Sequence, residues 1–309
     1  MKLSYVLSQV LFAIILVSCS KERPLAPHAM DEGDFAGDLL ISEVLVDPKK
    51  DGAEFLELYN SSDKVVDLAA YTIASTNSKG VTGTPRTISA SSQYIYPGTY
   101  KLISKSPDAV LAHYPSNAQI ESVVVENFPQ LTNTEGAVLL LKGEETIDSL
   151  HYSAKMHDPL IRNSKGVSFE RVSFKKATNN AENFISASAT TGYASPGYQN
   201  SQRDNSHATG PLVQLSKRTL DNSKNETLSV QFNLREGGKM TNITIFSSAG
   251  RKIFELVQNH RLGTLDHLYW DGQATDQRKL PSGTYYFHIE IYDSNGSYQQ
   301  FKEICFINS

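Results

Sequence analysis

The strongest constraint on this chain is the two-residue period of its apolar positions. In "LSVQFNL" the residues Leu228, Val230, Phe232 and Leu234 fall on one side, and Ser229, Gln231 and Asn233 on the other. "TYYFHIEIY" repeats the pattern, with Tyr285, Phe287, Ile289 and Ile291 turned inward. Strict alternation over a short run marks a strand with one buried face. Similar short runs ("DLLISEVLV", "EFLELYN", "YKLIS", "ESVVVENF", "AVLLLKG") recur up to about residue 153, separated by turn formers such as "DPKKDG", "NSSD" and "NSKG". Many short strands spaced by turn signals predict an all-β chain of sandwiches or barrels. One helix interrupts them: Ser106 as N-cap, Pro107 at the first helical position, Asp108 in the first turn and Pro115 just beyond predict about two turns.

A composition break divides the strands into two groups. The stretch "YASPGYQNSQRDNSHATG" is rich in Gly, Ser and Asn and poor in aliphatics, and its residues 201–210 read as a linker. The 309 residues are enough for about two domains with cores of their own. The predicted organisation is a leader over 1–18, a flexible tether over 19–37, one sandwich over 38–200 and a second over 211–309. The formal net charge of −4 lacks the basic footprint of a nucleic-acid binder.

The leader carries one charge, Lys2, then the apolar run 10–17, then Ser18 and Cys19. That order of a charged start, a short apolar run and a small residue is an export signal, too short to cross a bilayer as a helix. "LVSC" resembles the lipobox of bacterial lipoproteins, which implies that Cys19 is acylated and anchors the mature chain to the membrane. Residues 20–37 are polar and cannot bury enough surface to fold alone. Cys305, left without a partner by a lipidated Cys19, sits in the apolar "FKEICFINS" and reads as a small core residue.

The first sandwich resembles the lamin tail domain, an Ig-like fold. The resemblance rests on Ile41 and Glu43, then Glu54, Phe55, Glu57, Leu58 and Asn60, then Asp67 and Leu68, and finally Pro196, Gly197 and Asn200 near residue 200. Phe184 stands where the family usually has tryptophan. Phe55, Glu57 and Tyr59 share one face of their strand, and Asn60 is placed to bond the backbone of the turn after it. Glu54 and Glu57 are three apart on a strand, point to opposite faces and cannot act together on one substrate atom.

The second sandwich resembles the FlgD-type Ig-like domain through "NITIFSSAGRKIFELV", the turn Trp270-Asp271-Gly272 and the entry Pro281-Ser282-Gly283-Thr284-Tyr285. Trp270, the single tryptophan, reads as a core anchor. The final strands also resemble the sorting domains of type IX secretion, ranked second because the Trp-Asp-Gly hairpin belongs to the FlgD type. Domains similar to it often open on an Asp-rich loop that looks able to bind calcium; in the corresponding run here Asp221 and Glu226 are the acids that remain, and Lys224 opposes a cation beside them.

No His-Glu-x-x-His, Gly-x-Ser-x-Gly, P-loop or Cys-x-x-Cys motif occurs, and His151 and His157 read as surface histidines of a polar loop. The resulting expectation is a non-enzymatic cell-envelope lipoprotein without cofactors. It would be a rigid, extended pair of sandwiches that binds a protein or glycan partner, with the loops around 76–86 and 127–136 as candidate contacts. The alternatives are an accessory component of a gliding or type IX secretion machine, or a module associated with an exported hydrolase.

Overall fold

The computed structural model describes residues 37–114 and 120–308. Cys19, the leader, nearly all of the tether and Pro115 lie outside the described residues. Within them the chain is all-β, with two Ig-like sandwiches in one compact unit.

In the first sandwich a six-stranded sheet runs in the order Phe184–Ser186, Phe169–Arg171, Leu39–Leu45, Phe55–Asn60, Tyr100–Ser104 and Ser122–Val124. It faces a four-stranded sheet ordered Glu145–Ser153, Glu135–Lys142, Tyr71–Thr76 and Arg86–Thr87. Alternation decides which side chains fill the space between the sheets. Leu56 and Leu58 join Ile41, Val44, Ile73, Leu140 and Phe169 in the main core, while Phe55 and Glu57 point to the opposite face. That outer face has a small core of its own, in which Leu45, Phe55 and Leu102 meet Val110 and Tyr114 of the helical segment. The helix is shorter than its sequence signals predict, Pro107–Leu111, and Ser106 makes no side-chain cap bond.

The second sandwich packs a three-stranded sheet (Val213–Leu215, Leu228–Asn233, Leu265–Trp270) against a five-stranded one (Thr219–Asp221, Tyr298–Asn308, Gly283–Tyr292, Met240–Ser247, Lys252–Arg261). Its core collects the alternating residues Leu228, Val230, Phe232, Phe287, Ile289 and Ile291 around Trp270. The indole meets Phe287 edge-on at 5.3 Å and donates to the Gln273 carbonyl at 2.9 Å. Asp271 closes the turn by accepting from the Gln273 amide, and Gly272 adopts φ 77° with Asn222 and Leu220 where a Cβ would sit. Cys305 is fully buried in this core and free, and burial pushes its thiol up to about 11.

Residues 201–210 do more than connect. Ser201 and Gln202 are buried. Gln202 donates to the Leu262 carbonyl at 2.9 Å, and the Ser201 carbonyl accepts from the Thr264 amide at 3.0 Å. The chain comes so close that a Cβ on Gly263 would lie 2.8 Å from the Ser201 oxygen. Arg261, which is 1% exposed, leaves the second sandwich, pairs with Asp158 at 2.5 Å and donates to the Ser186 carbonyl at 2.9 Å. Ser188 bonds Asp266 at 3.0 Å beside it. The start of the predicted linker is thus ordered, because Ser201 and Gln202 bond groups in both sandwiches.

Removing one partner of a buried ion pair leaves the other charge uncompensated, at a cost of about 3–5 kcal/mol. Arg261→Ala is therefore expected to lower stability on that scale and to split the calorimetric unfolding of the full chain into two transitions. A single transition at the wild-type midpoint would show that the pair does not join the two sandwiches.

Candidate functional site

The outer face of the six-stranded sheet carries a row of three acids. Strand register sets Glu43 opposite Glu170 on one side and opposite Glu57 on the other. Cross-strand neighbours point to the same face, so the carboxyls lie side by side. All three residues are 0% exposed.

The cover over this row is the segment 193–202, which contains the Pro196-Gly197 and Asn200 motif positions. Its backbone supplies the donors. Ser195 N–H donates to Glu43 at 2.9 Å, Gln202 N–H to Glu170 at 2.8 Å, and Gly197 N–H to Glu57. Hydroxyls complete the shell: Ser195 Oγ and Ser201 Oγ each donate to Glu170 at 2.6 Å, and Ser168 Oγ donates to Glu43. Gly197, at φ 88°, takes a backbone conformation that favours glycine, and Asn200 ties the segment down by donating to the carbonyls of Ser42 and Arg171 at 3.1 and 2.8 Å.

Charge in this row is expensive. Burial, and then the neighbouring Glu170, push Glu43 up to about 8; burial and then Glu43 hold Glu57 well above the usual carboxylate range. Burial raises Glu170 as well, against the donors that surround it. Glu57 Oε1 has no hydrogen-bond partner. An anionic oxygen without a donor costs far more than a neutral carboxyl oxygen, so the geometry fits a protonated Glu57. The row is a structural clasp: its atoms are covered by the chain and have no open path to a substrate.

The other motif residues are also accounted for by contacts within the fold. Glu54 lies on the opposite side from Glu57, accepts from the Leu131 amide at 3.2 Å and is raised by burial to about 7. Asn60 closes its turn, donating to the carbonyls of Lys64 and Ile95 at 2.7 and 2.9 Å and accepting from Ser62 N–H at 3.0 Å. Asp221 pairs with Lys224 at 2.9 Å and Glu226 with Lys217 at 2.8 Å, so lysines occupy both acids of the calcium-like loop. No cluster of three metal-ligating side chains is present among the described residues. His157 departs from the surface reading: it is half-buried, stacks on Phe169 with ring centres 4.0 Å apart, and is lowered by burial to about 4. Of the two candidate loops, residues 77–87 are exposed, whereas the second is pinned by Leu131, which is 1% exposed in the main core.

An open cleft of about 770 Å³ lies beside the acid row, lined by Tyr59, Tyr100, Phe174, Lys175, Arg203 and His207 among others. Tyr59 stacks on Phe174 with ring centres 4.1 Å apart and tilts against Tyr100 at 4.8 Å. Tyr59 and Tyr100 meet because their strands pair in register, and both project from the face that carries Glu57. Arg171, behind Phe174, is neutralised by Asp148 at 2.8 Å. Sequence reasoning placed Tyr59 on this face but found neither Glu170 nor Tyr100, Phe174 and Arg203. The alternation in "SFER" was available as a signal for Glu170; the cleft had none, since its residues come from four separate segments.

Residues 35–154 match the family model of the Lamin Tail Domain, and residues 218–307 match that of the CHU_C type IX secretion signal domain. The second match falls on the resemblance ranked below the FlgD type from the sequence. The lamin tail match stops short of two strands, Phe169–Arg171 and Phe184–Ser186, that complete the same sheet. No curated protein sequence matches the chain.

Among solved structures, CopC from Methylosinus trichosporium OB3b is 21% identical, over 31% of this chain and 91% of its own, with a TM-score of 0.22. PorZ of Porphyromonas gingivalis, described as a surface component of its type IX secretion system, is 11% identical over 87% of this chain and 30% of its own, with a TM-score of 0.28. Dimeric latent PorU of the same organism is 10% identical over 93% of this chain and 21% of its own, with a TM-score of 0.27. The chain thus covers less than a third of PorZ or PorU, and overlaps this low carry nothing about role.

The acid row makes stability depend on pH with a defined sign. Glu43 holds its proton in the folded state up to about pH 8, whereas an unfolded glutamate loses it near pH 4.3. The folded state therefore binds more protons in between, and stability falls as pH rises toward 8. Burial of His157 acts in the opposite sense, mainly below pH 6.5. Urea unfolding is expected to give a lower midpoint at pH 8 than at pH 6.5, and Glu57→Gln, which removes one carboxyl that is neutral in the folded state and ionised in the unfolded one, should flatten that difference. A midpoint that rises between those pH values would mean that the row is ionised in the folded protein.

Proposed function

We propose that this chain is an exported, non-enzymatic binding module of the cell envelope. The observation that carries the reading is the match of residues 218–307 to a type IX secretion signal domain. The structure adds support: that domain is joined by buried bonds to a sandwich whose acids serve the fold. An open, aromatic-lined cleft in the same sandwich is available for a protein or glycan partner at the envelope. The lipobox-like "LVSC" supports a finer version, in which acylated Cys19 anchors the module to the outer membrane. A second reading, an accessory part of the secretion machine itself, draws on the same C-terminal match.

Protease treatment of intact and lysed cells tests the first reading. The protein is expected to be digested on intact cells, and to be retained inside in a strain whose type IX pathway is inactive. Protection until lysis would sink the surface reading. In the same strain background, Cys19→Ala should move the protein from the membrane fraction to the medium or the soluble fraction; unchanged membrane retention would remove the lipid anchor from the proposal. Co-purification with a defined secretion complex at fixed stoichiometry would favour the machine component over a free binding module.

A further inference from the structure

The geometry points to a carboxylate-bearing sugar, of the kind that builds acidic polysaccharides, as the ligand of the cleft at Tyr59, Tyr100 and Phe174. This inference rests on the reading of the chain as an envelope binding module and gives that module its ligand class.

The aromatic side of the argument is a stepped surface. Phe174, Tyr59 and Tyr100 are each half-buried, so each ring is fixed by its neighbours and still reaches the cleft. Aromatic faces are electron-rich, and the C–H face of a pyranose ring is their electropositive complement. The volume of about 770 Å³ falls within the range of about 300–1,000 Å³ usual for small-molecule sites, enough for a short oligosaccharide segment.

Charge supplies the second, independent side. Arg203 is half-buried in the lining, close enough for its charge to act on Tyr100, yet among the described residues its guanidinium makes no hydrogen bond or ion pair. Lys175, exposed at the rim, likewise has no ion pair there. The one acid in the lining, Asp204, keeps its negative charge, held by Ser206 N–H at 3.0 Å and the Ser206 hydroxyl at 2.7 Å, with Lys176 and His207 acting on it as well. Arg171 is already satisfied by Asp148. Two uncommitted cations therefore face one aromatic surface, on a chain whose formal net charge is −4. A partly desolvated guanidinium is best matched by a planar carboxylate that accepts two parallel N–H bonds. Gln199 and Thr209 in the same lining offer uncharged polar groups for sugar hydroxyls.

A single-stranded nucleic acid also combines anions with stacking rings. It would need a longer basic track than two cations to neutralise successive phosphates, so the acidic sugar is the better fit.

The test is isothermal titration calorimetry of the purified full chain with α-1,4-trigalacturonic acid, its fully methyl-esterified form, and a single-stranded oligodeoxythymidylate. Saturable one-to-one binding of the acid is expected, at least tenfold weaker for the ester, and weakened by added salt. Arg203→Ala should cost tenfold or more in affinity for the acid and abolish its preference over the ester; Arg203→Lys should restore part of it. Lys175→Ala, at an exposed position, should weaken binding by a smaller factor with an unchanged melting temperature. The proposal is overturned by the absence of heat with the acid, by equal affinity for acid and ester, by an unaffected Arg203→Ala variant, or by tighter binding of the oligonucleotide. Cell protection assays decide the envelope reading separately. Surface exposure without trigalacturonate binding would remove this ligand alone, whereas protection until lysis would remove the surface reading whatever the cleft binds.

Discussion

Three carboxyls, on Glu170, Glu43 and Glu57, are lined up across adjacent strands and sealed from water by the segment 193–202, and much of the surrounding architecture depends on that arrangement. Buried acids are tolerated only where donors converge on them or protons neutralise them. Here the donors are backbone amides of Ser195, Gly197 and Gln202, which can be delivered only if the segment lies flat on the sheet. A glycine at positive φ and the amide of Asn200 hold it there. The glutamates of the first strands and the Pro196-Gly197 and Asn200 segment at the end of the first sandwich are thus two halves of one device.

That device also fixes the second sandwich. The residues that satisfy Glu170, Ser201 and Gln202, are the same ones that bond Leu262 and Thr264 across the boundary. Arg261 then closes the contact by carrying its charge to Asp158. A segment with the composition of a free linker becomes ordered because its polar groups are committed on both sides. The cleft lies at the margin of this region, with Tyr59 and Tyr100 set by strand register and Arg203 set by the segment leaving Gln202.

Much of the fold was legible from alternation alone. The inward sets Leu228, Val230, Phe232 and Tyr285, Phe287, Ile289, Ile291 are buried as the two-residue period requires, and Trp270 sits in the core. Asn60 bonds its turn, and Glu54 and Glu57 lie on opposite sides. Other features were misread or missed. The helix is shorter than its proline and cap signals imply, His157 is packed on Phe169, and residues 201–202 are buried. Each of these depends on what packs against the segment, and local composition has no access to that.

The sequence by itself determined the elements: short strands with one apolar face, glycines where turns need positive φ, and a count of core residues sufficient for two sandwiches. Its period of two assigned each side chain to a face, since neighbouring residues on a strand must point apart. Tertiary structure decided which faces meet. Pairing across the sheet brought Glu170 beside Glu43 over more than a hundred residues of chain, and Glu43 beside Glu57, turning separate acids into one buried row. The same kind of pairing set Tyr59 beside Tyr100, and the segments after Arg171 and Gln202 brought Phe174 and Arg203 to the same cleft. Local patterns fix orientation, but proximity between distant segments is set by register and by burial of the whole, and this protein's site exists only at that level.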